Sequence, residues 1–176
     1  MASEIIRIDK VTLNCGVGAP GQELENARVL LERISGHKAV YTQAKTRNPT
    51  FKIRKGDNIG CKVTLRGKES SELLKKALEV PDHQISERSF DDNGNVAFGI
   101  KEYIDFPGIK YDPKIGMMGF DVCITLVKAG VRVQRRKIQP KKLPRKQRVG
   151  KKEAQEYMVK NFSVKLVSAN SEESGA

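Results

Sequence analysis

The 176-residue chain has no tryptophan, three cysteines and two histidines, and each shortage excludes something. Cys15, Cys61 and Cys123 lie far apart, form no C-x-x-C pair and have only His37 and His83 to join them. A structural zinc site needs about four closely paired ligands. No metal and no other cofactor is expected, and all three cysteines read as reduced, half-buried thiols. No apolar run approaches the roughly 20 residues that cross a bilayer. The first residues, MASEIIRIDK, lack the apolar core of a secretory leader. A cytosolic protein with no membrane partner is expected. No His, Asp and Glu fall in a recognisable catalytic frame, and Asp91 and Asp92 read more simply as turn residues. No enzyme is expected.

Acidic residues are missing from two particular places. Residues 128–152 contain none against twelve Lys and Arg, and residues 38–68 contain one against nine. The region between them, 69–127, has six basic and eleven acidic residues. The net charge is +12 and the pI about 9.7. A surface tuned only for solubility intersperses its signs. Two one-signed blocks flanking a mildly acidic body read as two docking zones for a polyanion.

NCGVGAPG sets Gly16, Gly18 and Gly21 at G-x-G-x-x-G spacing, between an apolar run and a helical stretch. That is the order of a dinucleotide fingerprint. The fingerprint needs an acidic residue about 20 positions on to hold ribose hydroxyls, and the stretch from Ser35 to Lys55 has none. A second βαβ half is missing as well. Two readings of the glycines remain: a tight strand-to-helix turn, or a close approach of RNA phosphate to a helix N-terminus.

IRIDKVTLNC alternates. Val11, Leu13 and Cys15 fall on one face, and Lys10, Thr12 and Asn14 on the other, as in a half-buried strand. Leu24, Ala27, Leu31 and Ile34 recur at helical spacing, and Ser35-Gly36 ends that helix. KAVYTQ is a short strand. AKTRNPT is a polar, basic loop, because Asn48 before Pro49 favours extended or turn backbone. FKIRKGDNIGCKVTLRG reads as two strands joined near KGDN. In the second, Ile59, Cys61, Val63 and Leu65 point one way, and Gly60, Lys62, Thr64 and Arg66 the other. KESSELLKKALEV is a helix with Leu73, Leu74, Ala77 and Leu78 as its stripe. SFDDNGNVAFGI is a hairpin turning at DNGN, since Asn-Gly supplies the positive φ that tight hairpins need. FPGIKYDPKIGMMG is loop. FDVCITLV alternates, with Phe120, Val122, Ile124 and Leu126 inward.

These elements predict an α+β fold: a mixed, mostly antiparallel sheet with helices packed on one face and the other face open. Residues 1–127 form this body. Residues 128–152 read as an extended arm, disordered when free. Val131, Val133, Ile138, Leu143 and Val149 cannot bury enough surface to offset ordering, and Pro140 and Pro144 forbid one helix. Residues 153–176 hold a short helix, with Ala154, Tyr157 and Met158 on one face, and a flexible tail.

The open face carries Lys10, Thr12, Asn14, Lys62, Thr64 and Arg66. Hydroxyls, an amide and cations on two strands beside a basic loop suit an RNA backbone; a merely solvated face is the plain alternative. KVTLNCGVG, ERISGHKAVYTQAKTRNPTFKIRKGDNIGCKVTLRG, FDDNGNVAFGIKEYIDFPGIKYDP and GFDV closely resemble, in order over residues 5–127, the large-subunit ribosomal protein family that carries 5S rRNA. FPGIKYDP and the basic segment resemble its archaeal branch. The resemblance implies a structural protein of the central protuberance that joins 5S rRNA to large-subunit rRNA among neighbouring ribosomal proteins. A free regulatory RNA- or protein-binding module is the alternative function.

In that family the open face meets 5S rRNA. The resemblance carries this onto Asn14, Phe51 and Thr64, and onto His37, which stands where many members have Gln. It also implies that Lys45, Thr46, Arg47, Asn48, Pro49 and Thr50 form a loop reaching toward P-site tRNA. The expected rRNA contacts are Lys10, Thr12, Asn14, His37, Phe51, Arg54, Lys62, Thr64 and Arg66 on the body. On the arm they are Arg135, Arg136, Lys141, Lys142, Arg145 and Arg148. For Phe51 a core position stands open beside stacking on a base or sugar; for the arm, a solvated tail stands open.

Overall fold

The computed structural model describes residues 5–167. Strand β1 (Ile6–Gly16) is the axis of the fold. It pairs with β3 (Asn58–Leu65) on one side and β6 (Phe120–Lys128) on the other; β2 (Val40–Gln43) lies outside β3, and β5 (Asn95–Ile100) outside β6. All four ladders of this sheet are antiparallel. The predicted α+β class holds.

Alternation decides which face is buried. Val11, Leu13 and Cys15 of β1, Cys61, Val63 and Leu65 of β3, and Phe120, Val122, Ile124 and Leu126 of β6 share one core. Helices α1 (Gln22–Ser35) and α2 (Lys68–Glu79) cover that face. α1 buries Leu24, Ala27, Leu30 and Leu31; α2 buries Leu73, Leu74, Ala77 and Leu78. Each such leucine contributes about 1.5–3 kcal/mol of hydrophobic stabilisation, so the helices hold the sheet by one side only.

The alternation of β1 changes phase once. Ile6 and Ile8 sit at even positions, whereas the inward Val11, Leu13 and Cys15 sit at odd ones. The register explains it: Ile8 pairs with Leu126 and Lys10 with Thr125, leaving Asp9 as the extra residue of a β-bulge.

Helix α4, which spans Lys151–Phe162, adds Ala154 and Met158 to the same core, followed by Val164. A small parallel sheet joins β4 (Gln84–Ser86) to β7 (Lys165–Val167). The expected tail, 168–176, lies outside the described residues.

Two expectations need correction. FKIR is not a strand. Ile53 makes an isolated bridge to Asn48, and Lys52 adopts a φ of +55°, which breaks any ladder. The DNGN turn forms, with the Gly94 N–H donating to Asp91 O and the Asp91 N–H to Asn95 O. Its first arm, however, shrinks to one bridge, Phe90 to Val96.

Segment 128–152 is attached to the body at several points. It contains a helical turn, α3 (Arg132–Arg135), and buries Leu143 and Val149. Lys128 Nζ meets Glu153 Oε1 at 2.6 Å and closes its base. Val149 packs on the DNGN turn so tightly that a Cβ at Gly94, where φ is +75°, would lie 2.6 Å from the Val149 Cβ.

Candidate nucleic-acid interface

The strand registers lay out the open face row by row. One row runs Lys62, Asn14, Asp121, Gly99; the next runs Thr64, Thr12, Cys123, Ala97. Lys10, opposite Thr125 and Asn95, opens a third. Lys62 and Thr64 are exposed, and Lys10, Thr12 and Asn14 are half-buried. The face therefore has two unlike halves. The β1–β3 half carries cations, hydroxyls and an amide. The β5–β6 half carries small side chains and one carboxylate, Asp121. Asn14 Nδ2 lies 3.5 Å from Asp121 Oδ2, the long limit of a hydrogen bond, so the amide is only loosely engaged.

Beyond the face, the predicted residues separate. Phe51 is 70% exposed, which removes the core reading for it. It stands on a finger joining β2 to β3. The Ala44 N–H donates to Asp57 O and the Gly56 N–H to Ala44 O at its base; Asn48 and Ile53 exchange two bonds of 3.0 Å farther out. Lys45, Thr46, Arg47, Pro49 and Thr50 are exposed along it, and Asn48 is half-buried. The Arg54 backbone N–H donates to Asp57 Oδ2, and the Arg54 side chain is in no ion pair among the described residues. His37 follows α1, and its Nε2 lies 2.7 Å from Glu69 Oε2 at the start of α2.

The arm cations divide too. Arg135 gives two 2.8 Å bonds to the Asp9 carboxylate, Arg136 Nε donates to Gln139 O, and Arg148 Nη2 donates to Leu143 O. Lys141, Lys142 and Arg145 are exposed and unpaired among the described residues. Asp9 itself escaped the sequence reading. The phase change in β1 marks the bulge but does not reveal its partner. Arg135 holds the Asp9 carboxyl below the usual carboxylate range, against the effect of burial.

The glycine turn is a tight strand-to-helix connection, with Gly18 at a φ of +90°. Val17 and Gly18 both donate their N–H groups to Ile59 O, and Glu23 and Glu25 occupy the first turn of α1. A phosphate at the start of α1 would meet these two carboxylates. The antiparallel neighbours of β1 also rule out a dinucleotide unit. Cys15 and Cys61, cross-strand partners, are fully buried rather than half-buried; Cys123 is half-buried on the open face.

A sheet held by helices on one side and left polar and partly cationic on the other offers an open surface rather than a pocket, the form of a structural binding protein. Comparison with known families gives the particular kind. Residues 2–54 match the model described as Ribosomal protein L5, and residues 58–160 match the model of that family's C-terminus. The chain belongs to the ribosomal protein L5 family. Large ribosomal subunit protein uL5 of Methanosphaera stadtmanae is 47% identical over 159 residues, covering 90% of this chain and 95% of that protein. The protein of the same name from Sulfurisphaera tokodaii is 48% identical, covering 92% of each chain. That from Thermoplasma acidophilum is 48% identical, covering 93% of this chain and 97% of its own. The relatives are archaeal, as the sequence reading expects. The family is one of structural, non-enzymatic components of the large ribosomal subunit in the cytoplasm.

Proposed function

We propose that this chain binds 5S rRNA with the open face of its sheet and fastens it to large-subunit rRNA in the central protuberance. The observation that carries the reading is the pair of adjacent rows, Lys62 beside Asn14 and Thr64 beside Thr12. Four polar side chains of two strands converge on one flat area, with Lys10 and Arg66 at its end. Cations neutralise phosphates and release counterions. Hydroxyls and the Asn14 amide donate to phosphate oxygens or meet ribose 2′-hydroxyls. Exposed Phe51 stacks on a base or sugar. His37 reaches RNA through Nδ1 while Glu69 holds Nε2. The finger from Lys45 to Thr50, with Arg54, extends toward P-site tRNA, and Lys141, Lys142 and Arg145 face rRNA phosphates. Neighbouring ribosomal proteins complete the surroundings.

The test is a titration of the full chain with 5S rRNA, beside tRNA and an unrelated duplex, at several salt concentrations. Tighter binding to 5S rRNA is expected. Lys62→Ala and Arg66→Ala should each flatten the slope of log K against log salt by up to about one unit. Equal affinity for all three RNAs, or unchanged slopes, contradicts the assignment.

A further inference from the structure

We infer that Asp9 is a positioning residue that clasps the arm to the end of the open face, making one continuous polyanion-binding surface of the two basic blocks. The inference rests on the reading that this face meets RNA.

A carboxylate amid cations on an RNA face opposes binding unless it does something else. Asp9 is the extra residue of the β1 bulge, a feature that re-aims a side chain at the expense of a ladder position. Its side chain is only 12% exposed. Arg135 Nη1 and Nη2 each donate to it at 2.8 Å, a fork from the arm onto both carboxylate oxygens. Arg66 Nη1, just past the end of β3, lies 3.5 Å from Oδ1, and Lys10 is next along the chain. One carboxylate thus meets an arginine from each basic block, 57 and 126 residues away.

The cluster keeps an excess of positive charge. The fork uses two of the five N–H donors of Arg135, and three remain for phosphate. A second observation concerns the same end of the face. Val127 pairs with Arg7 and continues the outward phase of Cys123 and Thr125, yet it is 8% exposed. That end of the face is therefore covered, and the fork brings the arm beside it. A loop fixed in advance loses less freedom on binding than a free one.

The experiment compares the full chain with its Asp9→Asn variant on 5S rRNA across a salt series. On charge alone, removing a carboxylate strengthens binding to a polyanion. The clasp predicts the reverse: affinity lower by about tenfold and a shallower salt slope, because arm cations no longer engage together. Asp121→Asn removes the same charge from the other half of the face and should not weaken binding. Arg135→Lys keeps the charge but loses the fork, and should give an intermediate loss. Deleting the arm should abolish the loss from Asp9→Asn and leave only the gain expected from charge. Asp9→Asn binding as tightly as the wild type, with the wild-type slope, overturns the clasp. If that variant does not fold, Arg135→Lys with wild-type affinity and slope does so instead. A wild type without preference for 5S rRNA overturns the parent reading, a separate result.

Discussion

The two basic blocks are alike in composition and opposite in construction. Block 38–68 is held by main chain. Its cations project from β3 and from a finger laced by backbone bonds, and Lys45, Arg47, Arg54 and Lys62 are in no ion pair among the described residues. Beyond Lys128, the last residue of β6, block 128–152 has no ladder. It is fixed at points: Lys128 to Glu153, Arg135 to Asp9, and Val149 against Gly94. Order carried by a ladder survives the loss of any one side chain, whereas order carried by three points does not. The same charge can therefore be presented rigidly in two ways, with different weaknesses.

The largest effect should come from the packing point. Gly94→Ala puts a Cβ 2.6 Å from that of Val149 at a positive φ, and should destabilise the protein by about 2–4 kcal/mol. A thermal melt unchanged within a degree would show that the arm is not seated there. Next come Asn14→Ala and Thr64→Ala, each expected to weaken 5S rRNA binding by about 1–2 kcal/mol while leaving the melt unchanged. Loss of stability instead would mean that these side chains serve the fold.

Acid should separate the blocks. Arg135 depresses the Asp9 carboxyl; Lys128, helped by the Gly150 N–H, depresses that of Glu153. Depressed carboxylates contribute stability above the ordinary range near pH 4 and lose it as pH falls through the lowered values. Amide protection in 128–152 should therefore be flat from about pH 8 to 5 and fall only below about pH 4, ahead of the finger. Finger and arm failing together would erase the contrast. The smallest effect is expected from Lys45→Ala and Arg47→Ala. Stability should stay within about 0.5 kcal/mol, with a shallower salt slope for RNA binding.

The sheet was legible because alternation is local. Val11, Leu13 and Cys15 opposite Thr12 and Asn14 need no distant partner to be read. The bulge was legible only as a change of phase between Ile8 and Val11. Its purpose was hidden, because Arg135 lies 126 residues away and nothing near Asp9 names it. β4 and β7 were illegible for a similar reason: three residues each show no period, and the pairing spans most of the second half of the chain. FKIR misled because Phe51 and Ile53 alternate with Lys52 and Arg54, while the backbone turns at Lys52. Phe51 and Thr64 entered the candidate site through family resemblance, and alternation placed only Thr64 independently. The charge blocks were plain, but charge alone does not distinguish a free arm from a pinned one.

The central claim is that the open face, on its β1–β3 half, is where RNA lies. Thr64→Glu tests it most directly. The position is exposed, so the fold should tolerate the change, and the new carboxylate would stand beside Lys62 where a phosphate is expected. A like charge at such a contact costs several kcal/mol. The account predicts a loss of 5S rRNA affinity of about a hundredfold with an unchanged melting temperature. Wild-type affinity in a folded Thr64→Glu chain would contradict it.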